Sequence, residues 1–234
     1  GNDSALAIGN SAAAQGQRAT AVGRLTDASG SNSFAAGDAA VASGTQSVSI
    51  GNGATATATR GIAIGFDADA QNLDAIALGR DSVGGGDEAT AVGTRAEATG
   101  SRSSALGFVA IASGSNGVAI GNQASASGAA AIALNGNASV NGAISIGGGS
   151  EATDLRSIAI GQNARTTKAN QAVIGGFDVG ITELAIGYSA ESSTPQSDVL
   201  LTATSGEATS GASGTNLQLR CGLGDGAGTD GYVE

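Results

Sequence analysis

The stretch SVSIGNGATATATR, residues 47–60, is followed at once by GIAIG, residues 61–65, which repeats the pattern of its first five residues. That pattern is a small residue, an aliphatic residue, a small residue, an aliphatic residue and a glycine. Its closing position falls on residues 9, 23, 37, 51, 65, 79, 93, 107, 121 and 135, a constant spacing of 14. Later copies close at 147, 161, 175 and 187, so two intervals are shortened to 12. Such a register predicts a solenoid of similar coils.

Within each unit, large and small side chains alternate with a period of two. Aliphatic residues stand three and one before the glycine, as in Ile62 and Ile64, and alanines stand three and five after it, as in Ala68 and Ala70. A period of two is typical of strands. Glycine closes the motif and often recurs seven residues later, where we expect turns. The sequence therefore predicts an all-β parallel solenoid of 14-residue coils, with about 13 coils stacked over roughly 60–65 Å.

Charged residues share one turn position, five before the motif glycine. Up to residue 191, no Asp, Glu, Lys or Arg occupies either aliphatic position. We therefore expect the charged position to face water. Its occupants include Arg18, Arg60, Asp74, Glu88, Arg102 and Arg156.

A coil of two short strands is too thin to shield both faces of its sheets, which predicts self-association. Two buried aliphatic side chains contribute roughly 1.5–3 kcal/mol each, against a backbone ordering cost of about 1–2 kcal/mol per residue. We expect the alanine-lined strand to admit a neighbouring chain at close range. Association about a threefold axis, which closes on itself, predicts a homotrimeric fibre.

Composition excludes several classes of function. The 234 residues include 40 Gly, one Cys, one Pro and no His, Met or Trp, with a net charge of −10. That charge argues against nucleic acid and anionic membranes as partners, and no apolar run approaches the ~18 residues of a membrane-inserted helix. Without His, the usual nucleophile–base arrangements cannot form. The carboxylate pairs at residues 67 and 69 and at 87 and 88 are interpreted as solvated turns, so we expect no enzyme and no cofactor.

Aromatic residues directly after the motif glycine are the candidate binding residues. Phe66, Phe108 and Tyr188 occupy a position that otherwise holds mainly polar residues or glycine, and Arg80 and Arg95 lie nearby in the repeat. Exposed aromatic rings suit protein or sugar surfaces. The alternative is that these rings pack against the next chain of the trimer.

A weak candidate for metal binding lies near the end of the chain. DGAGTDGYV, residues 225–233, approximates a calcium-binding nonapeptide repeat, with Asp225 and Asp230 as candidate ligands. Such sites need neighbouring copies, and only one imperfect copy is present. A plain glycine-rich turn is therefore favoured, and we expect no required metal.

The units SVSIGNGATATATR (47–60) and GVAIGNQASASGAA (117–130) resemble the head repeats of trimeric autotransporter adhesins of the YadA type. The resemblance covers about residues 1–191. It implies a left-handed parallel β-roll, three chains wound into one rod, and adhesion as the role.

Residues 192–234 break the 14-residue period and form a second, Gly/Ser/Thr-rich β segment in this interpretation. The run DVLLTATSGEATSGASGTNLQLRCGLGDGAGTDGYVE, residues 198–234, resembles glycine-rich segments of bacteriophage tail fibres. The leading hypothesis is a tail or virion fibre at the virion surface that binds a host-surface glycan or protein, or that spaces a receptor-binding tip. The alternative is the head of a bacterial trimeric autotransporter adhesin on the cell surface. We also expect the sequence to be a piece of a longer protein.

Overall fold

The computed structural model describes residues 4–176, and all regular structure in this range is β-strand. The strands belong to two parallel sheets that alternate along the chain as far as residue 152, so that each coil up to there gives one strand to each sheet; the last two strands both join the first sheet. No helix in this range is long and apolar enough to cross a membrane.

Thirteen strands form the first sheet, which carries the small–aliphatic–small–aliphatic motif. They are β1 (Leu6–Ile8), β3 (Thr20–Val22), β5 (Phe34–Ala36), β7 (Val48–Ile50), β9 (Ile62–Ile64), β11 (Ile76–Leu78), β13 (Thr90–Val92), β15 (Ser104–Leu106), β17 (Val118–Ile120), β19 (Ile132–Leu134), β21 (Ile144–Ile146), β23 (Ile158–Ile160) and β24 (Ala172–Ile174).

Eleven shorter strands form the second sheet. They are β2 (Ala13–Ala14), β4 (Asp27–Ala28), β6 (Val41–Ala42), β8 (Thr55–Ala56), β10 (Asp69–Ala70), β12 (Val83–Gly84), β14 (Glu97–Ala98), β16 (Ile111–Ala112), β18 (Ser125–Ala126), β20 (Asn137–Ala138) and β22 (Glu151–Ala152).

The register between coils follows the sequence repeat. Ile62 pairs with Val48 in the coil before it and with Ile76 in the coil after it, so equivalent residues stack 14 positions apart. Backbone hydrogen bonds of 2.7–3.4 Å continue this ladder through strands and corners, as from Ile62 N–H to the Ala75 carbonyl. The prediction of an all-β parallel solenoid of 14-residue coils is confirmed.

The interior of each coil is made of small side chains. Ala63, Ala68, Ala70 and Ala77 are completely buried within a single chain. The largest fully buried side chains in the described range are Thr and Ser. Several buried serines donate their hydroxyls to backbone carbonyls; Ser49 Oγ, for example, donates to the Ala54 carbonyl at 2.7 Å. The two sheets therefore lie too close together to admit a branched aliphatic side chain between them.

The expectation that the alanine-lined strand receives a neighbouring chain is wrong. Those alanines face the other sheet of their own coil, whereas the aliphatic residues of the motif face outward; Ile64, for example, is 38% exposed in the single chain. Successive residues of a strand point to opposite faces, and here the narrow interior selects the small member of each pair. The surface left to be covered is thus the outer face of the first sheet.

Two corners complete each coil. We call the four residues that lead from the first sheet to the second the glycine corner, as in residues 65–68, and the five that lead back the return corner, as in residues 71–75. Gly65 has a φ of 141°, and a Cβ there would overlap the carbonyl oxygen of Gly79 in the next coil. Gly30, in a return corner, does not have a positive φ. A side chain would still not fit there, because a Cβ would overlap the Gly44 carbonyl.

The charged residues that share the position five before the motif glycine lie on the return corner, as predicted, whereas others such as Asp69 lie in the second sheet. Arg60 binds Asp74 of the next coil through two hydrogen bonds, with Nε–Oδ1 at 2.5 Å and Nη2–Oδ2 at 2.6 Å. The hydrogen bond from Arg60 lowers the pKa of the Asp74 carboxyl, and the same contact raises the pKa of Arg60. Both side chains are well exposed, so this ion pair links adjacent coils but contributes little to stability.

Candidate functional site

The candidate residues Phe66, Arg80 and Phe108 lie in one row along the glycine corner. Asp81 N–H donates to the Phe66 carbonyl and Arg95 N–H to the Arg80 carbonyl, each at 2.8 Å, so the second and third residues of successive glycine corners are stacked. Thr94 occupies the same place between Arg80 and Phe108. The rings of Phe66 and Phe108 are 51% and 44% exposed in the single chain. The structure thus places the two rings three coils apart on one edge.

Arg80 of this row and Arg95, which follows Thr94, are both held by neighbours on the same corner. The guanidinium carbon of Arg95 lies 5.0 Å from the centroid of the Phe108 ring, which is cation–π geometry. Arg80 Nη1 lies 3.5 Å from Asp81 Oδ2. The corner therefore presents flat apolar rings bordered by cations and a carboxylate, a set that suits the faces and hydroxyls of sugars or a polar protein surface.

The remaining candidates lie outside the described residues: Tyr188, Asp225 and Asp230. Of the two carboxylate pairs, Asp69 Oδ2 accepts a hydrogen bond from Gln71 Nε2 at 2.7 Å on the outer face of the second sheet. Between residues 4 and 176, no group of three His, Cys, Asp or Glu side chains is arranged to hold a metal ion.

The coils are expected to need no metal, because backbone ladders and small buried side chains already hold them together. We predict that excess chelator leaves the melting temperature of the whole chain unchanged within about 1 °C. Removal of a structural metal ion would lower the melting temperature much further. Differential scanning calorimetry with and without chelator measures this. A lower melting temperature that calcium restores would instead support binding at Asp225 and Asp230.

The structure also shows a cleft that sequence reasoning missed. Leu134 pairs with Ile120 and Asn137 pairs with Ser125, so only two residues join β19 to β20 where four join β17 to β18. This glycine corner is therefore two residues short. The gap opens a cleft of about 500 Å³. Its lining includes Asn122, Gln123, Asn135, Asn137, Gly149 and Glu151.

The signal for the cleft was present in the sequence as the 12-residue interval between 135 and 147. An interval alone does not tell which corner has lost residues. Strand pairing on both sides decides it, because the return corner after β20 keeps five residues, 139–143.

Comparison with known proteins agrees with the repeat. The family model for the YadA head domain repeat (2 copies) matches residues 2–26, 28–54, 56–82, 85–110, 112–134 and 141–164. The widest break between these segments, residues 135–140, contains the shortened corner. No curated protein sequence matches the chain.

Among solved structures, the chain is similar to the crystal structure of the collagen-binding domain of the Yersinia adhesin YadA. The two sequences are 21% identical, the match covers 85% of this chain and 95% of that one, and the TM-score is 0.36. Because the family model matches most of the residues between 2 and 164 in register with the coils, the chain belongs to the YadA head domain repeat family.

Proposed function

We propose that three copies of this chain form a fibrous adhesin head that attaches to a host or matrix surface. The head comprises residues 1–191, and residues 192–234 form a separate Gly/Ser/Thr-rich segment. The proposal assigns the chain no catalytic role, since the described corners present binding chemistry and no nucleophile–base pair.

The main support for a trimer is the apolar outer face of the first sheet. Its motif positions hold large aliphatic side chains in nearly every coil, and many remain more than a third exposed in the single chain. The second sheet carries mostly polar or small residues on its outer face, so the two outer faces differ in kind. A continuous apolar strip on one face and a polar face opposite favour burial of the strip against further copies of the same chain. Examples of the exposed apolar residues are Leu6, Ile8, Ile50, Ile64, Leu106, Ile120 and Ile174.

A bacterial cell surface is the setting that the family favours. The other setting, a phage tail or virion fibre, draws its support from the composition of residues 192–234. Both settings use the repeats in the same way, as a rod that presents its corners outward. We therefore propose the bacterial adhesin head first and the virion fibre second.

Adhesion is proposed to involve the row of Phe66, Arg80 and Phe108 on the glycine corner, together with the adjacent Arg95. Threefold symmetry would repeat the two exposed rings three times around the rod, with about 14 Å between them along it. Weak contacts to a host-surface glycan or protein then add through effective concentration.

We predict that the double substitution Phe66→Ser and Phe108→Ser reduces adhesion by at least about tenfold while the trimer persists. The expected loss reflects removal of the apolar contact area that dominates such interfaces. Binding of the purified trimer to host-cell monolayers and to immobilised matrix proteins measures adhesion, and light scattering checks the oligomeric state.

A matched control is the double substitution Leu73→Ser and Leu155→Ser. These leucines have similar exposure, 42% and 44%, but lie on the return corner. The control variant should adhere like the wild type. If both variants lose adhesion equally, binding does not reside on the glycine corner; if the phenylalanine variant no longer assembles, the rings belong to the trimer interface.

A further inference from the structure

The shortened corner lacks one complete peptide unit of the ladder that runs along the glycine corners. In regular coils, the amide of the third corner residue donates to the carbonyl of the second corner residue of the preceding coil. Gln123 N–H donates in this way to the Phe108 carbonyl at 2.9 Å, and Asn163 N–H to the Gly148 carbonyl at 3.0 Å. Between these two rungs, the residues that would supply the next peptide unit are missing.

The missing unit leaves two backbone groups unpaired, one on each side of the cleft. The Asn122 carbonyl and the Gly149 amide have no hydrogen-bond partner within residues 4–176. Both sheets continue in register through the shortened coil. Leu134 pairs with Ile120 and Ile146 in the first sheet, and Asn137 pairs with Ser125 and Glu151 in the second. The continuous stacking on either side prevents the corner from closing over the gap.

The spacing of the two unpaired groups fits one amide group. In a complete corner, the amide nitrogen of the next coil would lie about 2.9 Å from the Asn122 oxygen, and the Gly149 nitrogen would lie one coil spacing of about 4.8 Å beyond it. The Asn122 oxygen and the Gly149 nitrogen are therefore about 8 Å apart. A trans amide, whose oxygen and nitrogen are about 2.3 Å apart, spans this distance with a hydrogen bond at each end. The slot offers an acceptor to the N–H of such a group and a donor to its carbonyl.

The walls of the cleft carry groups that bind hydroxyls. Gln123 and Asn137 contribute side-chain amides, which can donate and accept. Glu151 contributes a carboxylate, of which Oε2 already lies 2.7 Å from Arg165 Nη2. The exposed ring of Phe108 lies one coil away from Asn122 on the same corner and offers a flat apolar surface.

We propose that this cleft binds an N-acetylated sugar, whose acetamido group occupies the place of the missing peptide unit. The proposal rests on the proposed role of the chain in attachment and names the class of ligand. An extended peptide would need a row of unpaired backbone groups, and the corner offers a single rung. A compact ring that carries one secondary amide and several hydroxyls matches one rung surrounded by polar side chains. A pyranose also has the apolar face that suits an exposed aromatic ring.

The test titrates the whole chain with N-acetylglucosamine and N-acetylgalactosamine and follows saturation-transfer NMR. At least one of the two sugars is expected to bind, with the strongest saturation at the acetamido methyl group. Glucose, which lacks the amide, is expected to bind at least about tenfold more weakly, since loss of one net hydrogen bond corresponds to about that factor. Equal binding of glucose, or equal binding of a blocked dipeptide that carries only peptide amides, overturns the proposal.

A variant that fills the slot provides the structural control. Residues 135–136 are replaced by Gly-Asn-Gln-Ala, the sequence of residues 121–124, which restores the 14-residue coil. This variant should keep its circular dichroism and melting temperature and lose sugar binding by at least about tenfold. A milder pair is Gln123→Ala, which removes a side-chain amide from the cleft wall, and Asn52→Ala on the glycine corner of a regular coil, of which only the first should weaken binding. Unchanged sugar binding in the filled variant overturns the assignment of the cleft.

These experiments distinguish failure of the cleft proposal from failure of the proposed function. If the filled variant still adheres to host surfaces but no sugar binds the wild type, the cleft proposal fails and the adhesin proposal stands. If the wild type binds the sugar but adheres to no surface, the cleft is a sugar site and the attachment role fails.

Discussion

Replacing Ala126 with glutamate is expected to disrupt the coils around it and to lower the free energy of unfolding by more than about 4 kcal/mol. Ala126 is completely buried, in the +5 position where other coils hold Ala, Gly84 or Thr166. A glutamate there must either push the two sheets apart or bury an unpaired charge, and both costs are large. Because each coil is stabilised by its neighbours, the damage spreads along the stack.

Thermal unfolding followed by circular dichroism measures this effect, and the residue directly after the same strand supplies a matched control. Ser127, the next residue, is exposed. Ser127→Glu introduces the same charge one position away and is expected to change the free energy of unfolding by less than about 0.5 kcal/mol. If the Ala126→Glu protein melted like the Ser127→Glu protein, the interior position assigned to this alanine would be incorrect.

The contrast between Ala126 and Ser127 also shows what the sequence could and could not predict. Period two and the spacing of 14 are sufficient to predict strands, corners and parallel stacking, because each depends only on local geometry. The same pattern does not predict which side chains face inward, since either the aliphatic set or the small set could do so. Bulky aliphatic residues are the usual interior residues, which suggested that Ile62 and Ile64 are buried. The distance between the two sheets reverses this choice, and it becomes visible only in three dimensions.

The candidate site, too, could be predicted from the sequence only in part. The position of Phe66 and Phe108 in one row followed from the repeat, because equal places in the coil must stack. The contact of Arg95 with the Phe108 ring depends on side-chain conformation and could not be predicted. The cleft depends on which corner of a shortened coil has lost its residues. That information lies in the pairing of Asn137 with Ser125 and not in the interval of 12.

The reversed interior changes the basis of the predicted trimer. Small side chains inside the coil contribute little hydrophobic stabilisation, and each large aliphatic residue left on the first sheet can contribute roughly 1.5–3 kcal/mol once fully buried. Repeated over the coils, this face supplies the largest source of stabilisation still unused in the single chain. Assembly and folding of the coils are therefore expected to be coupled.

The double substitution Ile64→Asp and Ile120→Asp is expected to abolish the trimer. Both side chains point outward from the first sheet and are 38% and 42% exposed in the single chain. In a trimer built on this face, each substitution brings three carboxylates into an apolar interface, where desolvation and mutual repulsion oppose assembly. Sedimentation velocity should report a species near the 22.0 kDa of one chain, and the wild type should sediment as a species of about three times that mass.

The matched control places the same charges on the other sheet. Thr57 and Ser127 are exposed and lie directly after the strands β8 and β18 of the second sheet. The double substitution Thr57→Asp and Ser127→Asp adds two carboxylates per chain and should leave the trimer intact, because this face stays in water. A trimeric Ile64→Asp/Ile120→Asp protein together with a monomeric control would move the interface to the second sheet. A wild-type chain that remains a folded monomer at micromolar concentration would contradict the trimer itself, since its aliphatic face would then be stable in contact with water.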